Sequence, residues 1–359
     1  MSVNELQKVK EKFVKQLLPL KNVASVGIGR KEVQGRETEE LAIIVGVTQK
    51  LPPILIEKPD LVPQVLDQFK TDVIRVGEIS VLPPMAIISD RIKRIRPAKG
   101  GYSIGNIEIT AGTFGCVVYR NSQPFILSNA HVLTTDPTKS ISSSKQIVQP
   151  GIYDGGKFPE DHIGNLEDYI VINPSVDIST CPVSQGTVGF LNLISQVFRR
   201  QSRFQALAYS QEVNLIDAAI AKPLTSDQII PEVEDVGVPT GVFNGDSLLG
   251  QTVMKSGRTT GITHGKVKQV DVDVSVGYGG SPGMPSKIAQ FTDQILIESI
   301  AEEGAFSQGG DSGSIVFVDD GSKKVCGLLF AGNEEGTFTY ANRIQNVLQL
   351  LNVQLVINP

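Results

Sequence analysis

Residues 309–314 read GGDSGS and place one hydroxyl, that of Ser312, on a stretch rich in glycine. Acyl transfer needs a nucleophile on a tight turn, and backbone N–H groups that converge where the oxyanion develops. Glycine lets the backbone turn sharply and approach a substrate closely. We interpret Ser312 as a candidate nucleophile and the N–H groups of Gly310 and Ser312 as a candidate oxyanion hole. Taken alone, the hexapeptide fits a glycine-rich β-turn equally well.

Two further stretches supply the partners that such a nucleophile needs. ILSNAHVL places His131 after an apolar run and a short polar turn, and NLIDAAIAKP places Asp217 at the start of a small, apolar run. A buried carboxylate needs a partner. Pairing with the Nδ1–H of His131 would leave Nε2 free to accept the serine proton. Taken alone, His131 also fits a structural turn, and Asp217 a strand edge.

The chain has three histidines, so a metal site can be considered as an alternative. His162 lies in the polar stretch FPEDHIGN, and His264 lies in RTTGITHGKV, between two apolar runs. No two of the three have the spacing of zinc ligands. We therefore predict no metal and no cofactor.

Short apolar runs separated by Gly, Asn, Asp and Ser recur from about residue 100 onward. The clearest are FGCVVYR, PFILSNA, IDAAIAKP, QTVMKSGR, GKVKQVDVDVSV, DQILIES, GSIVFVD and KVCGLLFAG. So many short strands predict a mainly β fold, as a sandwich or as paired barrels. Helical periodicity interrupts them at 191–205 and again near the C-terminus at 341–353. Arg199, Arg200 and Arg203 lie on the first of these helices. We interpret this cluster as a solvated face, and a role in binding is the alternative.

Residues 1–95 are predicted to form a separate α+β domain, followed by a second domain at 96–359. Ser2 and Glu5 form a capping-box pattern. An amphipathic helix follows, with Leu6, Val9, Phe13 and Leu17 on one face. The strand-like runs VASVGIGRKEV and LAIIVGVTQK then predict a hairpin with a long loop. DRIKRIRPAKGG, rich in basic residues, is interpreted as a solvated linker between the two domains.

Composition limits the classes of function. The 359 residues are 40% hydrophobic, which allows about two domains with full cores. The formal net charge of −5 is too small to indicate a nucleic-acid or membrane partner. Charges punctuate the first twenty residues, unlike the core of a signal peptide, and no apolar run is long enough to span a membrane. The three widely spaced cysteines suggest no disulfide framework, so we expect a cytoplasmic protein.

The three motifs together resemble those of the chymotrypsin-like, or trypsin-like, serine peptidases. SNAHVL resembles the histidine motif of that family, IDAAIA its aspartate motif and GGDSGS its serine motif, in the same chain order. The resemblance covers roughly residues 100–340. It implies two antiparallel six-stranded barrels with the site between them, a C-terminal helix, and a serine endopeptidase that works through an acyl-enzyme. Its partner would be a protein or peptide substrate.

KSGRTTGITHG is similar to a strand-and-turn element of the bacterial branch of that family. The whole layout is similar to a group of bacterial proteins and the plant narrow-leaf protein, which carry an extra N-terminal domain. The resemblance also implies a cation that pairs with Asp311, either Lys255 or Arg258. Phe306, Phe330 and Gly332 would lie at the substrate pocket, which predicts a small or apolar residue before the scissile bond.

The sequence departs from the compact members of the family between His131 and Asp217. The long gap predicts an insertion at about 137–207, which, together with the N-terminal domain, would control access to the cleft. The apolar face of the first helix would alternatively join two copies of the chain. Two other functions stay open on the same fold: a scaffold or regulatory binding protein without turnover, and an esterase.

Overall fold

The computed structural model describes residues 3–87, 89–179, 181–198, 200, 204, 206–210, 212–245, 247–279, 287–300 and 304–355. Arg199 and Arg203, two members of the predicted basic helix face, lie outside these residues. Within the described residues the α-helices are α1 Val3–Leu17, α2 Ala130–Leu133, α3 Pro182–Val197 and α4 Ile344–Leu350. Short 3₁₀ helices are Pro53–Leu55, Lys58–Asp60, Asp90–Ile92, Ile152–Asp154 and Ser226–Gln228.

Strands dominate the described chain. Up to the centre of the chain they are β1 Val23–Val33, β2 Arg36–Val47, β3 Val65–Leu66, β4 Phe69–Arg75, β5 Ala98–Gly100, β6 Ser103–Asn106, β7 Gly112–Thr113, β8 Cys116–Arg120, β9 Gln123–Ser128, β10 Gln146–Val148, β11 His162–Tyr169 and β12 Val176–Ile178. The later strands are β13 Leu207–Tyr209, β14 Ala219–Pro223, β15 Ile229–Val233, β16 Gly241–Val242, β17 Thr252–Gly257, β18 Gly261–Tyr278, β19 Lys287–Ser299, β20 Ile315–Val318, β21 Lys324–Gly332 and β22 Phe338–Arg343.

The first barrel is built from a sheet in the order β7-β6-β10-β11-β14-β9-β8. Its two end strands, β7 and β8, are consecutive halves of residues 112–120. The first half pairs with β6 and the second with β9, so this stretch closes the barrel as its sixth member. All of these pairings are antiparallel. Ile126, Leu166 and Ala221 are among the side chains that fill the interior.

The second barrel is a closed ring of six antiparallel strands in the order β17-β18-β19-β22-β21-β20, and β20 pairs back with β17. Ile295, Ile297 and Val316 are buried in its core. The helix α4 follows β22 and packs with Ile344 and Val347 on a core that β8 and β21 share. The predicted fold class, mainly β with two barrel-like sheets and a C-terminal helix, is confirmed.

The N-terminal residues are joined to the second barrel by a continuous sheet. The strand β1 pairs with the second half of β18, and β2 and β4 extend the sheet outward. Leu6 and Leu17 of α1 are buried in the same core as Ile295 of the barrel. The predicted apolar face of α1 is therefore covered by the chain itself. That face is therefore not free to join two copies of the chain. An oligomer formed through another surface stays a prediction.

The predicted insertion is shorter in the structure than its expected span of 137–207. β10 and β11, which lie inside that span, are integral members of the first barrel, between β6 and β14. Sequence patterns did not identify them because β10 has only three residues and β11 is largely polar. The additional material therefore begins after Tyr169 and includes α3, β12 and β13, of which β12 pairs with β19 of the second barrel. No helix among the described residues is long and apolar enough to cross a membrane.

Candidate active site

His131 and Asp217 meet at one end of the first barrel. Pairing of Ala219 with Ser128 aligns β14 with β9, so Asp217 comes to lie beside the short helix α2 that carries His131. Nδ1 of His131 lies 2.5 Å from Oδ2 of Asp217, and the backbone N–H of His131 donates to Oδ1 at 3.2 Å. The Asp217 carboxylate is fully buried. Nε2 of His131 is also buried and has no hydrogen-bond partner among the described residues.

A tyrosine that the sequence analysis did not select completes the surroundings of Asp217. The hydroxyl of Tyr278, the last residue of β18, donates to Oδ2 of Asp217 at 2.8 Å. The ring meets His131 edge-on, with centroids 6.2 Å apart, and stacks on Phe291. Burial, reinforced by the charge of Asp217, raises the pKa of Tyr278 well above its ordinary value of 10.0. The tyrosine therefore stays protonated and acts as a donor to the carboxylate.

The backbone around Asp217 is held by two asparagines. Asn129 donates through its side chain to the Asp217 carbonyl at 2.7 Å. Asn342, on β22 of the second barrel, accepts from the Asp217 N–H at 3.0 Å. Because the two side chains come from different barrels, the position of Asp217 depends on how the barrels pack together.

Ser312 lies in the turn before β20, on the facing side of the cleft. Its carbonyl accepts from Thr113 N–H at 2.8 Å. Gly112 lies close to both the Ser312 turn and the helix that carries His131. A Cβ at Gly112 would lie 2.9 Å from the Ser312 carbonyl oxygen and 2.5 Å from Val132, the residue after His131. The Ser312 hydroxyl makes no hydrogen bond to His131 among the described residues. Such bonds are often long in free enzymes and shorten when substrate binds.

The turn around Ser312 leaves two N–H groups available. Gly310 has φ of 100°, which side chains rarely adopt, and a Cβ there would meet Thr259 at 2.5 Å. The carbonyl of Gly310 is held by the Thr113 hydroxyl at 2.9 Å, so this peptide is fixed in one orientation. Within the described part of the chain, neither Gly310 N–H nor Ser312 N–H donates to a protein acceptor. The two predicted oxyanion-hole donors are therefore both free.

Asp311, between these two residues, is fully buried and is surrounded by hydrogen-bond donors. Its carboxylate accepts from the N–H of Thr259 at 2.8 Å, from the Thr260 hydroxyl at 2.7 Å and from Gln308 N–H at 3.0 Å. Nζ of Lys255 lies 3.5 Å from Oδ2 and also donates to Gly261 O at 3.0 Å. Burial lowers the pKa of Lys255 from its ordinary value, and the charge of Asp311 opposes that shift.

Lys255 and Arg258, the two candidate partners of Asp311, have different partners in the structure. Lys255 approaches Asp311, whereas Arg258 turns to Asp154 on the 3₁₀ turn of the first barrel, with Nε 2.9 Å from Oδ2 and a second contact through Nη2. Arg258 is fully buried and also donates to the Met85 carbonyl at 2.6 Å. Arg258 is thus not the partner of Asp311 in this structure; it joins the two barrels.

Of the three residues predicted for the substrate pocket, two are buried in apolar cores. Phe306 and Phe330 are fully buried in two separate cores, with Phe330 packed on Phe291 at 4.9 Å between centroids. A motif offset predicted that they lie near the pocket, and the structure places each of them in an apolar core. Gly332 does lie at the cleft edge, where its backbone is hydrogen-bonded to Ser80.

Elsewhere, the described side chains offer no other reactive cluster. No three His, Cys, Asp or Glu among the described residues converge as a metal site. Nε2 of His162 donates to Gly164 O at 3.0 Å and lies 3.2 Å from Asn165 Oδ1, and Nε2 of His264 lies 3.7 Å from Asp319. Both histidines lie outside the cleft that holds His131.

Comparison with known proteins gives only distant similarity. No protein-family model matches the chain, and no curated protein matches it significantly. A solved glutamic acid-specific serine protease is 16% identical, with 72% of this chain and 100% of that chain covered, at a TM-score of 0.44. Protease A of Thermobifida fusca is 17% identical, with coverages of 72% and 98% and a TM-score of 0.40. A chymotrypsin of Cellulomonas bogoriensis is 15% identical, again with coverages of 72% and 98% and a TM-score of 0.40. At such low values we infer nothing about activity from these similarities.

Proposed function

We propose that the protein is a serine endopeptidase with Ser312 as nucleophile, His131 as general base and Asp217 as the residue that orients the base. The observation that carries the proposal is the buried contact of 2.5 Å between His131 Nδ1 and Asp217 Oδ2, which leaves Nε2 without a hydrogen-bond partner among the described residues. A histidine held in this way is set to take a proton at Nε2. The free N–H groups of Gly310 and Ser312 supply the second requirement of acyl transfer.

The proposed reaction has two stages. Ser312 Oγ bonds to the carbonyl carbon of the substrate while its proton passes to Nε2 of His131, and the carbonyl oxygen accepts from Gly310 N–H and Ser312 N–H. The C–N bond then breaks, the amine takes the proton from His131, and the acyl group stays on Ser312. Water next attacks the ester, again with its proton passing to His131, and the acid leaves with Ser312 restored.

The proposal is tested by comparing amide and ester substrates. A library of peptides should be cleaved internally by the wild-type protein and left intact by His131→Ala. Hydrolysis of nitrophenyl esters without any cleavage of peptides would replace the peptidase by an esterase. If neither substrate turns over while Ser312 still reacts with a fluorophosphonate, a scaffold that kept its triad would be the better account.

We also propose where the protein works, what its additional segments do and which family it is related to. Cys116, Cys181 and Cys326 are free thiols, which supports work in the reducing cytoplasm. We propose that residues 1–95 and the segment after Tyr169 regulate access to the cleft. The kinship we propose is with the bacterial branch of the chymotrypsin-like peptidases that carries an extra N-terminal domain, similar to the plant narrow-leaf group. The proposed partner is a protein or peptide substrate.

Tyr278→Phe should lower kcat about tenfold and change KM little, because the hydroxyl helps to hold Asp217 while the ring keeps its packing. A hydrogen bond to a charged acceptor contributes roughly 1.5–3 kcal/mol. Tyr340→Phe is the matched control, since Tyr340 is also buried but its hydroxyl donates to Ser25 at 2.9 Å. Steady-state kinetics of both variants measure kcat and KM, and only Tyr278→Phe should lose kcat. An equal loss of kcat in the two would make Tyr278 a merely structural residue.

A further inference from the structure

A segment that links β4 to the first barrel lies along the edge of the cleft. Ser80 pairs antiparallel with Gly332, the last residue of β21, through two backbone bonds. Ser80 N–H donates to Gly332 O at 3.1 Å, and Gly332 N–H donates to Ser80 O at 3.1 Å. From the sequence, Gly332 was predicted to lie at the substrate pocket. In the structure, a piece of the chain itself occupies that edge.

The other side of the segment is bound in the same way. Gly277, near the end of β18, donates to Ile79 O at 3.0 Å and accepts from Val81 N–H at 3.1 Å. Ile79 is buried in the core that also holds Phe330, and Val81 packs partly against it. The segment is therefore an extended strand that enters a groove between Gly277 and Gly332 and places apolar side chains on the groove floor.

Beyond Val81 the segment runs toward the nucleophile. The carbonyl of Pro83 lies against Gly309, where a Cβ would come within 1.8 Å of that oxygen and 3.4 Å of Leu82 Cβ. Met85 N–H donates to Gly309 O at 3.1 Å. Gly309 directly precedes Gly310 of the oxyanion hole, so the segment reaches the turn that carries Ser312.

We infer that residues 79–85 are an internal ligand of the groove between Gly277 and Gly332, which an extended peptide with apolar side chains must displace. The inference rests on the proposed function. An extended substrate uses the same backbone N–H and C=O of Gly332 that Ser80 now occupies, because each strand edge pairs with one strand at a time. The substrate therefore displaces the segment before it reaches Ser312.

Two features protect the internal ligand from cleavage. The bonds Leu82–Pro83 and Pro83–Pro84 have no N–H on the leaving side, because both are followed by proline. The N–H groups of Gly310 and Ser312 are unbonded among the described residues, so the carbonyl of Leu82 does not lie in the oxyanion hole. The segment covers the groove, and none of its carbonyls occupies the oxyanion hole.

The test uses two substitutions at one position. Ser80→Pro removes the N–H that donates to Gly332, whereas Ser80→Ala keeps both backbone bonds. With a tetrapeptide nitroanilide ending in leucine, Ser80→Pro is expected to raise kcat/KM at least tenfold, mainly through KM, and Ser80→Ala to match wild type. The rate at which a small fluorophosphonate labels Ser312 should be similar in all three, because that probe does not pair with Gly332.

The outcomes distinguish a failure of the internal-ligand inference from a failure of the proposed function. Equal kcat/KM in Ser80→Pro and Ser80→Ala, with Ser312 labelled in both, would overturn the inference and leave the proposed function standing. Absence of labelling in every protein would overturn the proposed function instead. Calorimetry needs no turnover: an acetylated peptide of residues 77–87 should bind Ser80→Pro at least tenfold more tightly than Ser80→Ala, and equal binding would contradict an internal ligand.

A third measurement covers the case in which Ser80→Pro fails to fold. Hydrogen exchange of the wild-type protein is followed with and without an excess of the same acetylated peptide. Displacement predicts faster exchange of the Ser80 and Val81 amides when the peptide is bound. Unchanged or slower exchange at both amides would mean that residues 79–85 are a fixed structural strand, and the inference would be wrong.

Discussion

Replacing Ser312 by alanine is expected to lower kcat about 10⁶-fold, on the scale seen when a triad nucleophile is removed. The hydroxyl makes no hydrogen bond within the described chain, so its loss leaves no buried group unsatisfied. The temperature of unfolding should therefore stay close to that of wild type. Steady-state kinetics with a peptide nitroanilide and a thermal melt measure the two quantities.

Ser322→Ala is the matched control for this prediction, because Ser322 lies in the turn between β20 and β21, away from the cleft. It should keep wild-type kcat. A Ser312→Ala protein that is folded and retains activity above about one per cent of wild type would remove Ser312 from the proposed role. A contaminating peptidase is excluded if the residual activity follows the Ser312→Ala protein through successive purification steps.

Lys255→Met is expected to lower kcat by about 10²-fold, with a much smaller change in KM. Lys255 is the cation beside Asp311, and both are fully buried, so removing the charge leaves a buried carboxylate without its partner. Relaxation of Asp311 would move Gly310 N–H, its neighbour, out of the oxyanion hole. Loss of a single oxyanion donor typically lowers kcat by about 10²–10³-fold, through the transition state alone.

Lys268→Met provides the control for the loss of a buried ion pair. Lys268 is almost as buried as Lys255 but pairs with Glu32, Glu37 and Glu298, away from Asp311. Both variants should unfold at lower temperature than wild type, and only Lys255→Met should lose kcat. Equal kcat in Lys255→Met and wild type would show that Asp311 does not need Lys255 to hold the turn.

The residues proposed for chemistry could be predicted from sequence because each lies in a short local pattern. His131 and Asp217 each flank an apolar strand, and Ser312 lies in a glycine-rich turn, so their places at the strand ends follow from a few neighbours. The class of fold followed from the number of short apolar strands. The sequence left two candidate cations for Asp311, Lys255 and Arg258. The structure decides between them, because Arg258 pairs with Asp154 and Lys255 lies beside Asp311.

The rest depended on contacts between distant parts of the chain. Tyr278 reaches Asp217 because β18 is long and carries its last residue to the first barrel, and nothing in SVGYGG signals that contact. The sheet that joins β1 to β18, and the bond of Ser80 to Gly332, likewise pair residues far apart in sequence. Phe306 and Phe330 are buried in two cores built from residues that are distant in sequence, which a motif offset does not describe.

The most direct test of the central claim is to locate the site of a covalent adduct. The native protein is treated with a fluorophosphonate and digested, and the labelled peptide is sequenced by mass spectrometry. The proposal predicts one adduct, on Ser312, that forms at least 100-fold more slowly in His131→Ala. An adduct on another residue, an equal rate in His131→Ala, or no adduct on folded wild-type protein would contradict it.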